Sequence, residues 1–349
     1  VAEARVIPLH GADREAARRR RAADRAPGPV PVPEPPASDA TPSEEHAEEH
    51  AADPMGADPM GADESGAEQA GWERRLAGLL AFARRRIQGD YEVDEFGFDP
   101  DLTDNVLMPP LRPLYEKWFR VETIGMHNVP GEGGALIVAN HSGTLPLDAT
   151  MTAFAVRADH PKRRHLRMLG ADLVFKTPVL GALARKSGQT LACNPDAERL
   201  LRSGELVGVW PEGFKGIGKP FKDRYKLQRF GRGGFVSAAL NTGVPIIPCS
   251  IVGAEEIYPK IGDIKALARL FGFPYFPVTP FFPFLGPLGA IPLPSKWYIE
   301  FGEPIRTDVY GEHAADDPML VFNLTDQVRE TIQQTLYRLL TQRRNVFLG

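Results

Sequence analysis

Short apolar runs and amphipathic stretches alternate along most of the chain, and their spacing predicts an α/β fold. Residues 135–139 read Ala-Leu-Ile-Val-Ala, a run too short for a helix and apolar on both faces, the pattern of a strand buried inside a sheet. Further strands are expected near 166–170, 189–193, 206–210, 245–252 and 297–302. Helical spacing marks 148–157, 178–186, 195–203, 233–242 and 261–270, and a final long helix is expected over 318–341. Strands alternating with helices imply a mixed, largely parallel sheet flanked by helices.

Two stretches stand outside the alternation. Over 72–86 a helix would set Trp72, Leu76, Leu79, Leu80 and Phe82 to one side and arginines elsewhere. Such a helix either docks on the domain or lies on an anionic bilayer, and the sequence leaves both open. Residues 271–294 hold six Phe and seven Pro, which excludes a regular helix or a central strand. That segment is expected to dip into a membrane interface, to line an apolar groove or to form a loop buried under a helix.

Composition separates a tail from a domain. Residues 1–70 contain a basic run at 18–21, a Pro-rich stretch at 27–42 and a tandem Ala-Asp-Pro-Met-Gly repeat at 52–61. Too little apolar surface is present there to offset chain entropy, so a disordered tail over 1–70 and one domain over 71–349 are expected. The tail carries 7 basic against 15 acidic side chains and the remainder 34 against 30. A mildly basic domain suits an anionic membrane or an anionic cosubstrate, and no basic–aromatic stripe points to nucleic acid. Cys193 and Cys249 lie in apolar, strand-like runs, the pattern of buried free thiols in a reducing compartment. His46 and His50 lack any accompanying ligand pattern, and no metal is expected. No run approaches the roughly 18 apolar residues of a spanning helix, and no apolar leader with a cleavage site opens the sequence. A peripheral place at the cytoplasmic membrane face is the expectation.

The chemistry concentrates at two strand ends. Residues 140–148 read Asn-His-Ser-Gly-Thr-Leu-Pro-Leu-Asp, delivering a histidine into a loop and an acid to the start of a helix. In a continuous helix His141 and Asp148 would lie about 10.5 Å apart along the axis. Gly143 and Pro146 break that helix, so the chain can fold back and let the two meet as general base and orienting acid. The second strand ends in Pro211-Glu212-Gly213, followed by seven cations between Lys215 and Arg232 against Asp223 alone, a cluster able to receive phosphates. Two decoys fall away. Residues 213–219 approach a phosphate-binding P-loop, but Pro220 stands where a Mg²⁺-holding hydroxyl belongs. Ser142 lacks the nucleophile elbow of a serine hydrolase.

The His…Asp loop, the Pro-Glu-Gly turn and the stretch Gly-Val-Pro-Ile-Ile-Pro-Cys-Ser-Ile-Val-Gly-Ala-Glu at 243–255, in this order, resemble the glycerolipid acyltransferase superfamily, typified by 1-acylglycerol-3-phosphate acyltransferase, over about 105–305. The resemblance implies a general base at His141, an orienting acid at Asp148, acceptor binding by Pro211, Glu212, Gly213 and Lys215, and an α/β domain preceded by membrane-docking helices. It also implies transfer of a fatty acyl group from acyl-CoA or acyl carrier protein to a lipid hydroxyl, with no cofactor beyond that cosubstrate. The developing oxyanion is expected on a backbone N–H, at Gly213 or Ser142. Six residues separate His141 and Asp148 where the family has four, Phe214-Lys215-Gly216 replaces Thr-Arg-Ser, and the middle motif at 188–194 contains no arginine. A neutral glyceride therefore stands beside lysophosphatidate as acceptor. A thioesterase and a non-catalytic lipid-binding protein on the same scaffold are the alternatives.

Overall fold

The apolar run at 135–139 is the middle strand of a seven-stranded sheet and is buried at all five positions. The computed structural model describes residues 5–7 and 64–349; for 5–7, 64–72, 74 and 75 it describes the backbone alone. In chain order the strands are β1 (Glu122–Ile124), β2 (Ala135–Ala139), β3 (Leu166–Gly170), β4 (Thr190–Leu191), β5 (Leu206–Val209), β6 (Ile246–Val252) and β7 (Tyr298–Phe301). Their order in space is β1-β7-β6-β2-β5-β3-β4, and every neighbouring pair is parallel except β6 with β7. The mixed, largely parallel sheet expected from the sequence is present.

Side-chain alternation along β2 sends Ala135, Ile137 and Ala139 to one face, against Met151, Phe154 and Ala155 of α2 (Leu147–Asp159). Leu136 and Val138 point to the other, where α3 (Asn194–Arg202), α4 (Gly234–Thr242) and α5 (Pro318–Gln342) pack. The last of these follows the expected helix within a residue. Asp317 caps it by accepting from the N–H groups of Met319 and Leu320, Pro318 occupies its first turn, and Val321, Leu324, Val328, Ile332, Leu336 and Leu339 form its buried stripe. Each such side chain stabilises the fold by roughly 1.5–3 kcal/mol relative to exposure.

The differences from expectation are local. β1 escapes sequence reading because three residues with one exposed position carry no periodic signal. The helix expected over 261–270 is shortened to Lys265–Phe271, because Gly262–Asp263 pairs antiparallel with Pro277–Val278. Residues 271–294 hold that two-residue strand and a 3-10 turn at Gly286–Ala290, as their prolines dictate. The tail expected over 1–70, His46 and His50 with it, lies largely outside the described residues. Within them, Arg5–Ile7 pairs in parallel with Glu92–Asp94, and α1 (Glu64–Gln88) starts ahead of Trp72, whose side chain is outside the description. Leu76, Leu79 and Leu80 of α1 are exposed rather than docked. The helix is tied down at its far end, where Arg86 forks onto buried Asp99 at 2.6 and 2.8 Å and Arg85 pairs with Asp101. Fully buried Arg167 of β3 holds the next segment through Asp94 at 2.7 Å and stacks over Phe98. Both cysteines are free thiols; Cys249 is buried and Cys193 half-buried. Among the described residues no helix is long and apolar enough to cross a membrane.

Candidate active site

The adjacent parallel strands β2 and β5 end side by side and deliver the two sequence motifs to one place, the carboxyl edge of the sheet. Asn140 fixes the end of β2: its side-chain amide donates to the Ile251 carbonyl at 3.0 Å and accepts the Ile251 N–H at 2.8 Å. The chain then turns back through Gly143 (φ 94°) and Thr144 (φ 65°), left-handed positions that end any helix and bring Asp148 under His141. The His141 Nδ1–Asp148 Oδ2 distance is 2.7 Å. Asp148 is fully buried and accepts two further bonds, from the N–H groups of Ser142 and Ala149, both at 2.8 Å. A carboxylate holding three N–H donors keeps the imidazole proton on Nδ1, so the lone pair is left on Nε2. The His141 side chain is 14% exposed, open enough to meet a substrate.

The Pro-Glu-Gly turn divides into an inner and an outer part. Glu212 is inner: one carboxylate oxygen accepts the His141 N–H at 2.9 Å and the other the Gln228 N–H at 2.6 Å, so it braces the backbone of the histidine. Pro211 is half-buried, while Gly213 and Lys215 are exposed at the rim. Gly213 (φ 55°, ψ −144°) occupies a conformation essentially restricted to glycine. Both N–H groups expected to stabilise an oxyanion are engaged within the protein. Ser142 donates to Asp148 and Gly213 to the Trp210 carbonyl at 3.0 Å.

Lys219, one of the seven cations expected to face phosphates, is withdrawn from solvent. Its side chain is 2% exposed and its Nζ lies 3.5 Å from Glu212 and 3.2 Å from Glu255. Lys215, Lys222, Arg224, Lys226, Arg229 and Arg232 remain on the surface. Burial pushes the Glu255 carboxyl up to about 7, against the opposing pull of Lys219 and the Tyr225 N–H. The network continues through Tyr225, whose hydroxyl donates to Glu256 at 2.5 Å and accepts the Gly253 N–H, to Arg343 on Glu256 at 2.6 Å. Sequence motifs alone do not reveal Asn140, Gly216, Lys219, Tyr225, Glu255, Glu256 and Arg343 as a supporting network. The available signal is the acidic pair Glu255-Glu256 directly after an apolar strand, a position that demands cationic partners.

Gly216 permits the two motifs to approach. A Cβ there would lie 2.5 Å from the Glu212 Cβ and 2.8 Å from the His141 carbonyl oxygen. Gly216→Ala is expected to destabilise the protein by about 1–3 kcal/mol through overpacking, read as a lower urea midpoint at unchanged slope. An unchanged midpoint would show that the turn yields freely.

A separate open cleft lies past the ends of β3 and β4, lined by Phe96, Phe175, Arg185, Gln189 and Thr190 among others. It adjoins the middle motif, which supplies Gln189 and a buried Thr190 hydroxyl; Arg185 lies over the Phe175 ring.

A family model described as Acyltransferase matches residues 120–252. The chain is 62% identical over 274 residues to the uncharacterized protein Rv0502 of Mycobacterium tuberculosis, covering 78% of this chain and 76% of that protein. It is 27% identical over 191 residues to the human DGAT1/2-independent enzyme synthesizing storage lipids, covering 55% of each. Among solved structures, the 1-acyl-sn-glycerophosphate acyltransferase PlsC of Thermotoga maritima aligns with a TM-score of 0.41 at 20% identity, over 63% of this chain and 72% of that one.

Proposed function

The chain belongs to the acyltransferase family, within the glycerolipid acyltransferase superfamily that its motifs resemble, and from that membership we propose that it transfers a fatty acyl group from acyl-CoA or acyl carrier protein to a lipid hydroxyl. The acceptor is lysophosphatidate or a neutral glyceride, met at the cytoplasmic face of a membrane in glycerolipid or phospholipid synthesis. One observation carries the reading: an imidazole held by a buried carboxylate through Nδ1, with Nε2 free, is built to take a proton from an alcohol. His141 Nε2 accepts the hydroxyl proton as the oxygen attacks the thioester carbonyl. The ester C–O bond forms, the C–S bond breaks, and the imidazolium returns its proton to the departing thiolate. Asp148 steadies the imidazolium between those steps. Glu212 acts as a positioning residue, and Pro211, Gly213 and Lys215 form the rim that meets the acceptor. Exposed cations downstream suit the phosphates of a cosubstrate or of an acceptor head group.

The storage-lipid activity in the human relative's name supports the neutral glyceride. A thioesterase would use the same base on water, and a lipid-binding protein would hold substrate without turnover. Radiolabelled acyl-CoA and acyl carrier protein offered with lysophosphatidate, monoacylglycerol, diacylglycerol and no acceptor separate these readings. Labelled lipid ester formed only with an acceptor is the expected result. Free fatty acid formed equally without acceptor would assign a thioesterase, and absence of any product would assign binding.

A further inference from the structure

The lobe formed by residues 259–294 exposes an apolar surface that no other part of the described protein covers. Leu270, Phe271, Phe273, Phe284, Leu285 and Leu288 are exposed, Leu270 and Phe284 at 74% and 73%. Neighbouring rings join the two ends of the lobe: Phe271 lies 6.1 Å from Phe273 and from Phe276, and Phe276 lies 5.5 Å from Phe282, two residues before Phe284. Scattered exposed apolar side chains are ordinary on a soluble protein, but a contiguous group of large ones marks a surface that is covered in use.

Charge and place identify the cover. Asp263 is the single acidic residue of the lobe, and it accepts the Phe276 N–H at 2.8 Å and lies 3.7 Å from Lys260, while Lys265 and Arg269 stand exposed on the helix that follows. Large exposed apolar side chains with exposed cations beside them, and the one carboxylate already paired, suit an anionic bilayer surface. The remaining chain offers a poor substitute: residues 8–63 contain no Phe, Tyr or Trp, and Leu9, Val30, Val32, Met55 and Met60 are their large aliphatics. The lobe is also joined to the candidate catalytic loop. Tyr275 donates its hydroxyl to the Thr144 carbonyl at 2.5 Å, Lys260 donates to the Gly218 carbonyl at 2.8 Å, and the Lys260 carbonyl accepts the Phe221 N–H at 2.9 Å. Leu145 and Phe214, exposed within the two site motifs, extend the apolar character toward His141.

We propose that the 259–294 lobe is the bilayer-docking surface, seating its Phe and Leu side chains among acyl chains so that the loop carrying His141 faces the lipid interface. This deepens the lipid-acceptor reading, and its test needs no turnover, so it stands or falls separately from the chemistry. The full chain is sedimented with vesicles of 70% phosphatidylcholine and 30% phosphatidylglycerol. Three proteins are compared: wild type, the lobe variant Phe284→Glu/Leu288→Glu and the α1 variant Leu79→Glu/Leu80→Glu, with thermal unfolding as the check on fold. Both lobe positions are exposed, so unfolding is expected to be unchanged. The expected result is co-sedimentation of wild type, at least tenfold weaker partitioning of the lobe variant, and retained binding by the α1 variant. Wild type left in the supernatant, or a folded lobe variant that sediments like wild type, would overturn the proposal. So would a wild-type dimer that the lobe variant splits, since the cover would then be a second copy.

Discussion

His141→Ala is expected to lower kcat/KM for acyl transfer by about 10²–10⁴-fold, the typical contribution of a positioned general base. The fold should survive, because Asp148 keeps the Ser142 and Ala149 N–H donors and its burial is undisturbed. Asp148→Asn tests the same pair from the other side. Its amide can present either an oxygen or an NH₂ group to Nδ1, so the imidazole loses the partner that fixed its tautomer and steadied its charge. Its turnover should fall within the same range, with KM for the acyl donor nearly unchanged, since neither side chain supplies ground-state binding in this scheme. Single-turnover measurement with labelled acyl donor, alongside thermal unfolding, reads both variants. A folded His141→Ala protein with wild-type turnover would remove the base from the scheme.

That pair is legible in the amino-acid sequence because its signals are local. An apolar run that stops at Ala139, a histidine two positions later and two helix-breaking residues before an acid specify a strand end, a loop and a fold-back. Some strand and helix limits follow for the same reason: β2 matches its expected bounds and α5 differs by one residue, whereas the strand expected over 189–193 shortens to Thr190–Leu191 and the helix expected over 261–270 starts at Lys265. Information that depends on contacts between distant residues is not legible in this way. Lys219 reads in sequence as one more cation in a basic run, yet it is drawn inward by Glu255, 36 positions away. The Ser142 and Gly213 N–H groups look available for an oxyanion until Asp148 and the Trp210 carbonyl are found on them. The spacing over 72–86 predicts the helix of α1 and says nothing of what covers its leucines; Leu76, Leu79 and Leu80 stand exposed. The order of strands across the sheet and the reversal of β7 likewise come from packing, which local periodicity does not encode.

Lys219→Met should be the most damaging single change to stability near the site. Glu212 and Glu255 share this one buried ammonium, and removing one partner of a buried ion pair typically costs about 3–5 kcal/mol. The loss should depend on pH, with a sign that follows from Glu255. Burial raises its carboxyl from an ordinary value of 4.5 to about 7, so between those values the native state binds more proton than the unfolded chain. Stability from this group is therefore fully present below about 4.5 and is lost as pH rises toward 7. Lys219 pulls the carboxyl down, so its removal moves Glu255 higher still and carries the declining limb to more alkaline pH. Near pH 5 the Glu255 carboxyl is already protonated, and the variant forfeits chiefly its attraction to Glu212. Urea unfolding at pH 5 and pH 8 should accordingly show the smaller deficit at pH 5, and Lys219→Met/Glu255→Gln should recover part of the loss at pH 8. Turnover should fall as well, because Glu212 holds the His141 N–H, and displacement of a catalytic group by about 1 Å costs roughly 10²-fold. An equal deficit at both pH values would mean that Lys219 contributes through packing of its methylene stem and that Glu255 takes no part.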